Sequence, residues 1–141
     1  MRFDLPTIDD DTKPFWDGTR DGKFLIRRCT SCGMHHYYPR PFCPECWSEE
    51  VEWVEASGKA TLYTHSTVYV NDLPPFHEQL PYISAVVDLD EGPRMMTRVI
   101  DCEPDQLQIG MALEVVFETI EGSAEEMGGD EVVLAYFRPA A

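Results

Sequence analysis

The stretch Cys29-Thr30-Ser31-Cys32-Gly33, answered by Cys43-Pro44-Glu45-Cys46, decides how the first third of this chain folds. Two C-x-x-C pairs at this separation bring four thiolates to the corners of one tetrahedron. Zinc suits that arrangement, because it imposes no d-electron geometry and accepts sulfur at about 2.3 Å. Each pair supplies two ligands from one tight turn, whose backbone N–H groups soften the thiolate charge. Gly33 permits the left-handed conformation such a turn commonly needs, and Pro44 limits the backbone of the second turn. Cys29, Cys32, Cys43 and Cys46 are therefore expected to hold a structural zinc ion. Four thiolates already fill the site, so His35 and His36 are read as surface groups or as groups that support the ligands without joining them.

Composition narrows the rest. The 141 residues fit one ordinary domain, or a small zinc module joined to a compact second unit. A hydrophobic content of 43%, with three Trp, seven Phe and six Tyr, supplies material for a core. The formal charge of −15 opposes contact with nucleic acid or anionic membrane, both of which select basic surfaces. No apolar run approaches the ~20 residues of a membrane span, and the opening residues lack a signal-peptide pattern. Four of the five cysteines have metal spacing, so a reducing, cytoplasmic setting is expected.

In chain order, residues 1–13 read as an acidic, flexible leader in which Asp11 or Thr12 caps a helix. Pro14 suits a first helical turn, while Gly18 and Gly22 argue for a short helix, a turn and a strand entering Cys29. Phe15 and Trp16 carry two open readings: packing against the chain's own core, or presentation to a partner. Tyr37 and Tyr38 suit a short strand. After Cys46, Val51, Trp53 and Val54 alternate with Glu52 and Glu55 as in a half-buried strand. Ser57-Gly58-Lys59 then marks a junction, giving modules at 14–57 and 58–141.

Beyond Gly58, five stretches read as strands: 60–70, 82–89, 94–100, 111–118 and 132–137. Asn71–Pro81 contains Leu73-Pro74-Pro75-Phe76 and is expected to be a long ordered loop. A short helical turn is expected within 103–109. Residues 121–130, with three glycines, read as an acidic hairpin tip without fixed structure. Five strands with no long intervening helix suggest a small antiparallel barrel, most commonly the OB-fold. Strand count alone leaves an SH3-like barrel or an open sandwich nearly equal.

Catalytic patterns are missing from the sequence: there is no G-x-S-x-G, no phosphate-cradling glycine loop and no paired histidine–carboxylate motif. Cys102 has no sequence neighbour that would lower its pKa, so it is read as structural. His65 lies mid-strand and is assigned to packing, whereas His77, beside Phe76 on the loop, is a candidate contact for a partner or ligand. Two rival functions meet opposition. A nucleic-acid binder is opposed by residues 59–141, where four basic groups face fifteen acidic ones. A rubredoxin-like electron carrier is opposed by the short separation of the cysteine pairs.

One resemblance spans about residues 12–139. It runs through Pro14-Phe15-Trp16-Asp17-Gly18, Asp21 to Cys29, Pro39-Arg40-Pro41-Phe42-Cys43-Pro44-Glu45-Cys46 and Trp53 to Tyr63. Later matches are Pro81-Tyr82, Glu91-Gly92-Pro93-Arg94, Ile109-Gly110-Met111 and Phe137-Arg138-Pro139. On these segments the chain resembles the acyl-CoA-associated OB-fold proteins with an N-terminal rubredoxin-like zinc ribbon, a family long catalogued as a domain of unknown function. Trp47 departs from the pattern, which usually has Gly there, so the local turn must differ. The resemblance implies a mainly β chain: a short helix and zinc ribbon, then a five-stranded OB-fold barrel. It also implies a non-catalytic accessory subunit of a thiolase-like acyltransferase, or of a hydratase-like subunit, that braces the partner and helps form the acyl-CoA site.

Basic groups cluster early, at Arg20, Lys23, Arg27, Arg28 and Arg40. They balance the −2 charge of a four-thiolate zinc site or meet an acidic partner surface or the phosphates of CoA. Candidate partner or CoA contacts are thus Phe15, Trp16, Arg27, Arg28, Arg40, Trp47 and His77.

Overall fold

A computed structural model describes residues 2–140. Helix α1 (Lys13–Arg20) has Pro14 in its first turn, where a missing N–H breaks no hydrogen bond. Its start is fastened by neither Asp11 nor the Thr12 side chain acting on the helix. Instead the Thr12 N–H donates to the Asp9 carboxylate at 3.0 Å, and the Asp9 N–H donates to the Thr12 hydroxyl at 3.1 Å. Gly22 (φ 75°) reverses the chain behind the helix, and the Lys23 N–H returns to the Gly18 carbonyl at 2.8 Å.

Strand β1 (Leu25–Cys29) is the centre of a three-stranded antiparallel sheet, flanked by β2 (His35–His36) and β3 (Val51–Glu55). The strand expected at Tyr37 and Tyr38 lies just before them, because both tyrosines are used elsewhere. The Tyr37 ring meets Phe15 edge-on at 5.6 Å, and the Tyr38 hydroxyl accepts the Met96 N–H at 3.1 Å.

Five strands then close a barrel: β4 (Lys59–Val68), β5 (Tyr82–Leu89), β6 (Arg94–Val99), β7 (Ala112–Thr119) and β8 (Val133–Pro139). Their order around the barrel is β4-β5-β6-β8-β7, with β7 returning to β4. This is the OB-fold. Pairing is antiparallel except between β6 and β8, which run parallel and share one Cα pair, Val99 with Phe137. Strand β5 alternates strictly, with Ile83, Ala85, Val87 and Leu89 turned inward.

One hydrophobic cluster serves both halves. Phe15, Phe24 and Ile26 from the N-terminal part pack with Leu62, Val87, Leu113 and Phe137 of the barrel. Phe24 is the bridge, edge-on to Phe137 at 6.0 Å and 6.3 Å from Phe15. The leader runs back along the barrel, with the Phe3 N–H on the Pro74 carbonyl at 3.0 Å and Arg2 paired to Asp4 at 2.8 Å. Residues 71–81 form the ordered loop expected, with a 3₁₀ turn at Phe76–Glu78, and a second 3₁₀ turn occupies Pro104–Gln106.

Residues 121–130 correct the expectation of an unstructured tip. They hold a short helix, α2 (Ser123–Met127), with left-handed glycines at both ends, Gly122 and Gly128. Ser123 is fully buried; its hydroxyl donates to the Ile120 carbonyl at 2.6 Å and accepts the Val132 N–H at 2.8 Å. That pair of bonds ties the acidic segment to the barrel.

The junction between ribbon and barrel rests on Gly58. Its φ is +79°, and a Cβ there would lie 2.5 Å from the Val115 Cγ1. The Val115 N–H also donates to the Gly58 carbonyl at 2.7 Å, so the backbone cannot retreat. Gly58→Ala is expected to cost about 2–3 kcal/mol, a fall of roughly 5–10 °C in Tm. A thermal melt followed by circular dichroism checks this, and an unshifted melt would show that the junction yields.

Candidate metal centre and partner surface

The two cysteine turns are near-copies of each other. In the first, the Gly33 N–H donates to the Cys29 carbonyl at 2.9 Å and the Cys29 N–H to the Met34 carbonyl at 2.8 Å. In the second, the Trp47 N–H donates to the Cys43 carbonyl at 2.9 Å and the Cys43 N–H to the Ser48 carbonyl at 2.8 Å. Both turns need a left-handed residue just after the second cysteine: Gly33 at φ 80° and Trp47 at φ 67°. Glycine adopts that conformation freely, whereas a side chain costs about 1–2 kcal/mol there. Trp47 recovers part of this by stacking on Phe42, ring centroids 5.3 Å apart and planes within 2°. Its indole remains 73% exposed.

The four sulfurs lie within 4.8 Å of one another. The Cys29–Cys46 and Cys32–Cys43 pairs are each 3.6 Å apart. A tetrahedron with metal–sulfur bonds of about 2.3 Å has edges of about 3.8 Å, so the donor set fits zinc. The cysteines are free thiols, with Cys29 and Cys43 buried and Cys32 and Cys46 facing out. Backbone N–H groups supplement the metal: that of Cys32 points at the Cys29 sulfur and that of Glu45 at the Cys43 sulfur, each at 3.4 Å. The Cys32 N–H is the main reason the Cys29 thiol is pulled down to about 6. A bound zinc here is held by four protein ligands and offers no position to a substrate.

Around this centre the candidate contacts separate. Phe15 is 5% exposed and belongs to the core, the first of its two readings, while Trp16 is partly buried beside it, ring centroids 5.1 Å apart. The Arg27 guanidinium lies over Trp53, 4.5 Å from the ring centroid, and donates to the Val51 carbonyl at 3.2 Å. Arg28 pairs with Glu52 across the sheet at 3.2 Å. Arg40 and Trp47 are exposed on the ribbon. His77 stands on the 3₁₀ turn, 3.7 Å from Glu78 and about half exposed.

His36 departs from both of its expected roles. It is buried at 6% exposure, opposite Arg27 in the sheet, and neither ring nitrogen has a hydrogen-bond partner. Burial first, then Arg27 and Arg40, holds its pKa below the ordinary histidine value, so the ring stays neutral. Cys102 lies apart from the zinc ligands, and burial pushes its thiol upward. Among the described residues no helix is long and apolar enough to cross a membrane.

Comparison with known proteins agrees with this geometry. A family model described as the ChsH2 rubredoxin-like zinc ribbon domain matches residues 16–52, and one described as the ChsH2 C-terminal OB-fold domain matches residues 53–118. A DUF35 domain-containing scaffold protein of Methanocaldococcus jannaschii is 37% identical over 116 residues, covering 79% of this chain and 78% of that protein. The chain belongs to the DUF35 family. Within the family, a structure described as an Ltp2-ChsH2(DUF35) aldolase superposes with a TM-score of 0.77 at 31% identity, covering 97% of this chain and all of that one. A protein of Thermomonospora curvata described as a probable enoyl-CoA hydratase alpha subunit is 32% identical over 96% of this chain, which spans 39% of that subunit. The benzoylsuccinyl-CoA thiolase subunit BbsA of Geobacter metallireducens is 35% identical over 51% of this chain and 47% of that subunit. Zinc-ribbon OB-fold proteins of this kind are thus associated with thiolase and hydratase enzymes.

The metal assignment has two measurable outcomes. Cys43→Ser removes a buried ligand and is expected to abolish zinc retention and unfold the ribbon, read as metal content by atomic emission and as protease cleavage within residues 20–55. Acid competes with zinc for the thiolates. Zinc release to a chromogenic chelator should therefore rise as pH falls, because each proton that binds a thiolate removes a ligand. Zinc release that does not increase on acidification would contradict the ligand assignment.

Proposed function

We propose that this chain is a non-catalytic, zinc-braced accessory subunit of an acyl-CoA-processing complex, docking on a thiolase-like acyltransferase. The carrying observation is the closed four-sulfur centre, which excludes substrate from the metal while its second turn holds Trp47, stacked on Phe42, out to solvent. The relatives named as scaffold protein and thiolase subunit support the same reading. The hydratase relative makes a hydratase-like subunit the alternative partner. A residue kept in a costly conformation and left exposed is suited to a surface whose value is realised on binding.

In this reading residues 14–57 form the docking module, residues 58–141 the barrel, and the chain works in the cytoplasm. Trp47, Arg40 and Arg28 face the partner, with Trp16, Arg27 and His77 as flanking contacts. Thiolase chemistry needs an activated cysteine and an oxyanion hole, which the partner supplies. This chain braces the partner and helps enclose the acyl-CoA between the two.

The test is co-purification with a thiolase-like protein from the same organism, followed by acyl-transfer assays on each protein alone and on the pair. Activity should require the pair, and robust turnover by this chain alone would count against the proposal. Trp47→Ala should weaken the complex by about tenfold or more while zinc content stays unchanged. Unaltered affinity would remove Trp47 from the interface.

A further inference from the structure

Three cavities on the outer face of the barrel, of about 530, 500 and 320 Å³, share one charged side chain in their walls, that of Arg98. All three are open to solvent. Arg98 sits on β6 between the inward-facing Met95 and Val99, so it projects outward, opposite Ser84 of β5. Its guanidinium lies 3.8 Å from the Tyr82 ring centroid, with Tyr136 at 5.6 Å and Phe76 at 5.7 Å. One nitrogen donates to the Gln79 side-chain oxygen at 2.8 Å.

Its charge is unmatched. Arg2, Arg20, Arg28, Arg94 and Arg138 each have a carboxylate within 4.0 Å. Arg98 has none among the described residues, in a chain that carries −15. Arg27 and Arg40 share that lack, but neither borders any of the three hollows. An arginine without an acid, placed where three hollows meet, is free to pair with an anion from outside.

The surroundings select which anion. The 320 Å³ hollow is walled by Phe15, Trp16, Tyr37, Met96, Leu134 and Tyr136 with no acidic side chain. The other two hollows carry Asp4, Glu103, Glu118 and Glu121. A polyphosphate would set its further charges against these carboxylates. A single carboxylate would meet Arg98 alone and leave its apolar body in the acid-free hollow.

We infer that Arg98 and the adjoining aromatic hollow form a binding site for a small apolar monocarboxylate, its carboxylate on the guanidinium and its hydrocarbon against Trp16 and Leu134. This goes beyond the accessory role and does not depend on it, since the site lies wholly within this chain.

The probes are sodium octanoate, the neutral octanamide and inorganic pyrophosphate, titrated into the zinc-loaded full chain while the Trp16 indole N–H is followed by NMR. Octanoate should shift that resonance saturably, with octanamide at least about tenfold weaker, as expected for loss of one charge-assisted pair. Arg98→Gln should weaken octanoate by at least about tenfold with zinc content and Tm kept, and Arg98→Lys should recover part of the loss. Equal binding of octanoate and octanamide, tighter binding of pyrophosphate, or no saturable shift at millimolar octanoate would each overturn the assignment. The acid–amide comparison needs no substitution, so it decides the matter even where Arg98→Gln fails to fold.

Discussion

Everything in the N-terminal half depends on four sulfurs converging on one point. The ribbon has a central strand of five residues, one neighbour of five and another of two. Its turns carry few apolar groups, and a sheet of that size is marginal without a crosslink. Zinc bound by four thiolates supplies about 10–16 kcal/mol of apparent binding free energy, which becomes folding free energy. The metal therefore decides the shape of the two cysteine turns, and backbone N–H groups aimed at Cys29 and Cys43 adjust its ligands.

The ribbon is joined to the barrel by continuous packing as well as by chain connectivity. Phe24 touches both Phe15 and Phe137, and Tyr37 and Tyr38 extend the contact to the β6 edge. The reason lies in the barrel itself. Strands β6 and β8 share a single Cα pair, so a gap would open above it without the helix and the tyrosines. The N-terminal half covers part of that gap and leaves the 320 Å³ hollow beside it, and both halves draw stability from one buried cluster.

Much of this was legible in the residues. The cysteine spacing specifies the metal site, and the apolar run at 82–89 and the stretch 111–118 read as strands, although strand count alone left the type of barrel open. Trp47 was visible as a departure from glycine, though only the backbone shows that it occupies the left-handed position glycine normally takes. Helix α2 was hidden because Gly122 and Gly128 signal a loop equally well when they terminate a helix, and the buried Ser123 has no pattern that announces it. The burial of His36 depends on which face of a two-residue strand it occupies, and two residues have no period to read. The surroundings of Arg98 come from α1, β2's flank, the 71–81 loop, β6 and β8, so no local stretch describes them.

The stiffness of the junction has a consequence for recognition. Gly58, locked against Val115, and the shared core leave no swivel between the Trp47 tip and the face bearing Arg98. The two surfaces are held at a constant span and angle, like the jaws of a caliper. A partner that grips the tip always meets the barrel face in the same orientation, and the second contact forms without a fresh search through solution. Individually weak contacts can then give a long-lived assembly, while a protein of slightly different dimensions is rejected by geometry alone.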